Sequence, residues 1–413
     1  MESTEIPHTR FAALQYRNFK LLWYGLIVSN VGTWMQNVAN GWLVLQLTNS
    51  PLWLGFLGLS FAIPMILLPP LAGPIVDRVN RIQLLLFTQS MQALTFITLG
   101  VLTWVGRVEV WHILIASFVS ATLLAFDNPA RQALVPGLVQ PRDLLNALSL
   151  NSATYTGAAL VGPALAGLLL EPLGAGTLFF LNGVSFLAVI LALLAMRDVA
   201  THSGGIQGTL RDSFWRGLSY AWNDRFILAL LILSALGAVF GRSYQNLLPA
   251  FSRDIWHAGS QGYGLLLAAA GGGALAGAFG LASFKRIPKQ GAVMLFSGLI
   301  FCASLIIFAL SPFFVLALVL LFVAGVTSTV FSTIISTFIQ LSVPNEMRGR
   351  VMSLYTVTLI GLPSLGALGS GALAEWLGGV EGAPHAVLWG AIVLTLILIS
   401  VIPFFWRSDM PIK

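Results

Sequence analysis

Twelve separate apolar runs, each long enough to cross a hydrocarbon layer, leave this 413-residue chain few choices of fold. They cover about residues 19–47, 52–76, 82–105, 110–134, 144–170 and 177–196, then 226–251, 263–284, 292–310, 313–341, 351–376 and 386–405. A helix rises about 1.5 Å per residue, so roughly 20 residues span a layer about 30 Å thick. In lipid the backbone must satisfy its own hydrogen bonds, and a helix does so within one segment. Only 9% of the residues are charged, where a soluble domain carries about 25%. The expected class is an all-α membrane protein with twelve transmembrane helices in a lipid bilayer. Pro64, Pro69, Pro70, Pro163 and Pro363 fall inside the spans, which membrane helices tolerate when neighbours re-satisfy the freed backbone groups.

An even number of spans puts both termini on one side. Placing that side in the cytoplasm leaves only Arg107, Arg242 and Arg253, of the 21 Lys and Arg, off the cytoplasmic face. This is a positive-inside bias, so both termini are expected in the cytoplasm. The net charge of +6 then reads as topology and not as nucleic-acid binding. The opening residues are polar and basic, unlike a cleavable leader. Cys302 is the single cysteine, so no internal disulfide forms. There is no Walker-type phosphate loop, the five His lack ligand spacing, and no Ser/His/Asp set suggests hydrolysis. Neither enzyme activity, a metal site nor a cofactor is expected.

A polar interval divides the chain into an N-terminal six-helix half (1–200), a cytoplasmic linker (201–224) and a C-terminal six-helix half (225–413). The linker opens with the flexible run THSGGIQG. It continues with Leu210, Phe214, Leu218 and Trp222 at helical spacing, which reads as an amphipathic surface helix or as a plain connecting loop. The halves are related. A shift of 204 residues makes ten of the 26 positions from Ser149 to Gly174 identical, among them Gly157/Gly361, Gly162/Gly366, Gly167/Gly371, Glu171/Glu375 and Gly174/Gly378. Two parallel repeats imply two pseudo-symmetric halves.

Charged residues are rare, yet the loop after the second span packs three into five residues: GPIVDRVNR holds Asp77, Arg78 and Arg81. Its pattern from Gly73, Gly-x-x-x-Asp-Arg-x-x-Arg, resembles the loop between helices 2 and 3 of the major facilitator superfamily, with Asn80 where that family usually has Gly. The run GAALVGPALAG, from Gly157 to Gly167, resembles the antiporter motif of that superfamily's exporters, with Ala166 replacing the penultimate Gly. FDNPAR ending at Arg131, LLPAFSRDIW ending at Trp256 and PNEMRGRVMSLY ending at Tyr355 extend the resemblance. They point to the efflux branch that includes the bacterial enterobactin exporter and macrolide-efflux permeases.

The resemblance implies the major facilitator fold and alternating access, with two halves rocking about a central cavity. It implies proton-coupled efflux of a small amphipathic molecule, drug or siderophore-like, by a monomer in the bacterial cytoplasmic (inner) membrane. The proton gradient is then the energy source. Import or lysophospholipid flipping are alternatives on the same fold, and a non-transporting receptor or membrane assembly component is the alternative outside it.

For the loop, the resemblance implies that Gly73, Asp77, Arg78 and Arg81 fasten the halves on the cytoplasmic side when the outside is open. Asp127 lies in the cytoplasmic third of the fourth span with Arg131 one turn away, and Arg78 and Arg81 are expected at the same depth. It is either part of that latch or a proton carrier. Gly157, Gly162 and Gly167 allow close helix approach, and Pro163 permits a bend. In this fold the first, fourth, seventh and tenth helices are expected to line the cavity. The candidates there are Asn30, Thr33, Asn37, Asn40, Arg242, Gln245, Ser332, Thr333 and Ser336, touching substrate or bonding helix to helix. Arg242 is a deep cation that attracts an anion, counters a carboxylate or snorkels outward. The repeat-matched Glu171 and Glu375 are expected to shape the outer gate.

Overall fold

The computed structural model describes residues 11–197, 218–284 and 289–406, without the side chains of residues 70, 71, 73, 74, 77 and 345. Most of the expected linker helix lies outside the described residues; its last part, 218–223, is helical. The first six expected spans form α1 (Arg17–Thr48), α2 (Pro51–Leu67), α3 (Pro69–Arg78), α4 (Arg81–Trp104), α5 (Val110–Leu134) and α6 (Leu144–Leu194). The next three form α7 (Arg225–Leu236) with α8 (Tyr244–Ala250), α9 (Gly259–Ala282) and α10 (Gln290–Leu310). The last three form α11 (Phe314–Ser342), α12 (Asn345–Ile360) with α13 (Leu362–Trp376), and α14 (Ala383–Ser400).

The 51 residues of α6 are two helices. Gly174 sits at φ 76, ψ 161, a backbone conformation that costs glycine little and ends the helical path. The reversal shows in the packing. Trp23 Nε1 on α1 donates to Leu150 O of the first arm at 3.3 Å, while Gly25, half a turn on, abuts Ala188 and Val189 of the second. A straight helix would separate positions 150 and 188 by nearly 60 Å at about 1.5 Å per residue, so the chain doubles back between them. Nine helical stretches among the described residues are long and apolar enough to cross a membrane. Counting α6 as two crossings and adding α1 and the α2–α3 pair makes the set consistent with twelve.

Three spans are broken where the sequence suggested single helices. Between α2 and α3 the chain breaks at Leu68, just before Pro69 and Pro70, which lack an N–H and crowd the preceding turn. The eleventh span breaks at Gly361, two residues before Pro363. The seventh carries two π turns, Gly237–Gly241 and Phe251–Ile255, either side of α8. Such turns insert a residue into the ladder and often accompany function.

Two seams join the parts of the chain before and after the linker. The first arm of α6 runs against α9, and α2 runs against α13. Both are backbone-close. A Cβ at Gly264 would lie 2.4 Å from Pro163 O, and one at Gly55 would lie 2.7 Å from Leu368 Cα, so only the absence of a side chain allows either approach. On the outside, Phe87, Leu191, Phe279 and Val315 are each more than half exposed. That would be a liability in water but suits contact with lipid.

Candidate functional site

At the end of the bundle opposite the termini, side chains tie the two parts of the chain together. Arg253, in the π turn that ends the seventh span, donates from Nη1 to Leu45 O at 3.0 Å and from Nη2 to Asn49 Oδ1, both at the close of α1. Asp254 holds the same guanidinium through Nε at 2.9 Å. Asn49 is able to meet it because it adopts φ 50 as the left-handed cap of α1. Ser50 Oγ donates to Glu375 Oε2 at 2.7 Å, and Ser260 Oγ to Gly167 O at 3.4 Å. Beneath them the buried rings of Trp42 and Tyr263 stack with centroids 6.4 Å apart. This end is closed.

The sequence assigned Arg253 to a loop and gave it no role. What hid the clamp is that it depends on the π turn aiming Arg253 across at α1. The two repeat-matched glutamates also differ. Both are exposed, but Glu375 bonds Ser50, whereas Glu171, at the equivalent end of the first arm of α6, has no such partner among the described residues.

Towards the terminal end lies the carboxylate cluster. Asp127 is buried, 2% exposed, and accepts from Thr88 Oγ1 at 2.9 Å and Gln89 Nε2 at 2.8 Å, both on α4. Arg131, one turn along α5, approaches its other oxygen at 3.5 Å and also donates to Asn128 Oδ1 at 2.7 Å. Thr88 Oγ1 also lies 3.1 Å from Leu85 O, and its single proton serves one of these two acceptors at a time. The expected partners Arg78 and Arg81 do not reach it. Arg78 is exposed, and Arg81 donates instead to Ala133 O at 3.1 Å, capping the end of α5 beyond Asp127. Asn80 explains its own departure from Gly: its Oδ1 accepts from Ile82 N and Gln83 N and caps α4. Gly73, Asp77 and Arg78 lie in α3, so most of the expected loop is helical; the Asp77 side chain is outside the described residues.

Between these ends is an open interior. Tyr155 on the first arm of α6 is 60% exposed, yet its ring meets Trp34 of α1 at 6.0 Å. Both Arg131 and Arg242 lie within electrostatic reach of its hydroxyl, and Arg242 also reaches Tyr355 of α12. Trp34, Arg131, Tyr155 and Arg242, drawn from four spans, surround one space, while Tyr355 is buried beside it with its hydroxyl donating to Ser332 O at 2.7 Å. Arg242 directly follows the first π turn and lines a recess with Ser234, Ser328, Phe331 and Ser332. Neither Tyr155 nor Tyr355 stood out in the sequence, because an isolated Tyr in an apolar helix resembles any interfacial anchor.

The remaining candidates sort by their bonds. Thr33 donates to Ser29 O and Ser332 to Thr329 O, each within its own helix, and Ser336 accepts from Gln340. Thr333, Asn37 and Gln245 are exposed and Asn30 is half-buried. Asn40 is buried, and its Oδ1 meets no hydrogen-bond donor among the described residues. In the antiporter-like run, Gly162 faces Trp34, where an added Cβ would sit 2.4 Å from the Trp34 Cβ. Gly167 faces Gly264, and the Pro163 carbonyl packs on Gly264. Gly157 is the exception to the expected close packing: nothing lies within 4 Å of a Cβ placed there. Among the described residues no cluster of three or more His, Cys, Asp or Glu is arranged to hold a metal.

A family profile described as transmembrane secretion effector matches residues 8–408. The chain is 24% identical over 395 residues to the multidrug efflux pump Tap of Mycolicibacterium fortuitum, covering 93% of this chain and 94% of that one. It is 26% identical to the staphyloferrin A transporter of Staphylococcus aureus, over 57% of this chain and 60% of that one. Among solved structures, a bacterial homologue of the human lysosomal transporter Spinster, in an inward-facing and unoccupied conformation, superposes with a TM-score of 0.73. It has 16% identity and covers 95% of this chain and 96% of that one.

Proposed function

Since this chain belongs to the transmembrane secretion effector family of major facilitator transporters, we propose that it exports a small amphipathic molecule across the bacterial cytoplasmic membrane. In this reading two six-helix halves, 1–200 and 225–413, joined by the 201–224 linker, rock about the central space as a monomer with both termini in the cytoplasm. The proton gradient drives the cycle. The carrying observation is the asymmetry of closure: the Arg253 clamp and the Ser50–Glu375 bond shut one end, while Tyr155 and Arg242 face an open interior. We read this as the inward-facing state, in which an exporter collects its cargo. The efflux activity in the name of the Tap relative supports the direction.

In this scheme Asp127 anchors α4 to α5 through donors on both helices. The segment from Gly73 to Arg81, the end of α3 and the turn into α4, fastens the halves in the opposite state, with Asp77 near the start of α12. A helix start favours a carboxylate by roughly 0.3–1 kcal/mol. Glu171 and Glu375 belong to the outer gate.

Everted vesicles carrying the protein test the proposal. A panel containing ethidium, a macrolide and a siderophore should show at least one compound accumulating under an imposed pH gradient and not after a protonophore. Accumulation confined to right-side-out vesicles would make the protein an importer. If Asp127→Asn abolishes the gradient dependence while downhill flux persists, Asp127 carries the proton and is no mere anchor.

A further inference from the structure

The interior charges do not balance. Of the carboxylates on the described residues, Asp127 is the one placed well within a span; the others lie at helix ends or in the short turns between helices. Asp127 is already met by Arg131. Arg242 is therefore a second interior cation with no acid to meet it. Among the described residues its guanidinium makes no ion pair and no hydrogen bond, and the side chain is neither fully buried nor fully exposed. Arginine does not shed its proton in a protein, so this charge persists through the cycle. Enclosing it away from water is costly unless a partner arrives.

The surroundings describe that partner. Arg242 projects from the break after the Gly237–Gly241 π turn, beside a recess lined by the ring of Phe331 and by Ser234, Ser328 and Ser332, whose hydroxyls bond to Thr358 Oγ1, Gly325 O and Thr329 O. Across the open interior stand Tyr155 and Trp34, contributed by the part of the chain before the linker. A planar fork of donors suits a carboxylate, sulfonate or phosphate, and the aromatic rings suit an apolar body. We propose that Arg242 is the recognition site for the anionic head of an amphipathic substrate, and that the cargo of this carrier is an organic anion. The inference rests on the export reading and names its substrate class. It also supplies a reason for coupling: with the anion bound, the cavity closes around a neutral pair instead of a bare cation, so loading favours the occluded state.

Three dansyl probes sharing one undecanoyl chain, ending in a carboxylate, a primary amide or an ammonium, test it on the purified full-length protein by fluorescence titration. The carboxylate should bind about tenfold or more tightly than the amide, as charge-assisted bonds are roughly twice as strong as neutral ones. The ammonium should bind weakest. Arg242→Gln should bring the carboxylate down to the level of the amide while leaving the amide unchanged, and Arg242→Lys should restore part of the preference. Arg107→Gln, in an exposed loop, should change none of the three. Equal binding of carboxylate and amide to the native protein, or parallel weakening of both in Arg242→Gln, overturns the assignment, as does failure of the carboxylate to bind. Everted vesicles separate this from the export reading. Gradient-driven uptake of the ammonium or amide probe without preference for the carboxylate leaves export standing and removes the anion site. Uptake of none of the three, nor of the drug panel, removes export itself.

Discussion

Removing the Arg253 clamp should open the end that this structure shows closed, and the shift can be sized. Arg253 gives α1 two charge-assisted hydrogen bonds, to Leu45 O and to Asn49 Oδ1. Bonds of this kind contribute about 1.5–3 kcal/mol each when buried. The Arg253 side chain is 22% exposed, and Asp254 already neutralises it, so about 1 kcal/mol apiece is the appropriate figure. Losing both in Arg253→Gln removes about 2 kcal/mol from the closed state, a roughly 30-fold change in the closed-to-open ratio. The readout is a cysteine at Ser260, which is 3% exposed and bonded across the seam to Gly167 O. In a Cys302→Ser background, Ser260→Cys should react slowly with a membrane-impermeant thiol reagent added outside. Arg253→Gln should raise that rate by one order of magnitude or more. A rate within about twofold of the parent would mean that the seam glycines, and not the clamp, hold this end shut.

Gly264→Leu forces a side chain onto the Pro163 carbonyl, 2.4 Å from its Cβ; overpacking of this kind costs about 1–3 kcal/mol. A thermal unfolding midpoint in detergent no lower than that of the native protein would contradict the close approach of α6 and α9. Glu375→Gln should weaken the bond to Ser50 and speed labelling at the Ser260 cysteine severalfold, while Glu171→Gln, which has no such contact, should not; equal effects would restore the symmetric gate that the repeat suggested. A reporter fused after Gly205 should read cytoplasmic and one inserted at Asn49 external, and an external signal at Gly205 would overturn the positive-inside assignment.

The spans were legible because hydropathy alone sets them: the 144–170 and 177–196 runs bracket the Gly174 reversal to within a few residues. So was the i, i+4 pairing of Asp127 with Arg131, a local consequence of helical spacing. What sequence could not show is where a side chain points after a helix is broken. The turn at Gly237–Gly241 and that at Phe251–Ile255 rephase the seventh span, and they set the directions of Arg242 and Arg253. Arg81 missed Asp127 because it meets α5 at the Ala133 carbonyl, six residues and about 9 Å further along the helix. Spacing along the chain located the loop to within two helical turns, which is too coarse to name a partner.

The repeat carries a further consequence for how such a carrier is biased. Gly162 abuts α1 at Trp34, and its match Gly366 abuts Val239 in the π turn of the seventh span, so each half makes the same internal junction. Gly167 and Gly371 each face the other part of the chain, at Gly264 and at Pro51. Gly174 and Gly378 both adopt positive φ. The close approaches at these matched glycines are thus alike at both seams, and such contacts alone would give neither a preference. The polar groups laid over them are not symmetric. Arg253 and Glu375 bond where α1 and α2 meet the later part of the chain, while Glu171 has no such partner among the described residues. In the proposed cycle, small residues at both seams would let the two parts of the chain slide at low steric cost, and a few hydrogen bonds would then suffice to choose the state. A bias of about 2 kcal/mol is within reach of a bound substrate's differential contacts, which is what a carrier that must be turned over by its cargo requires.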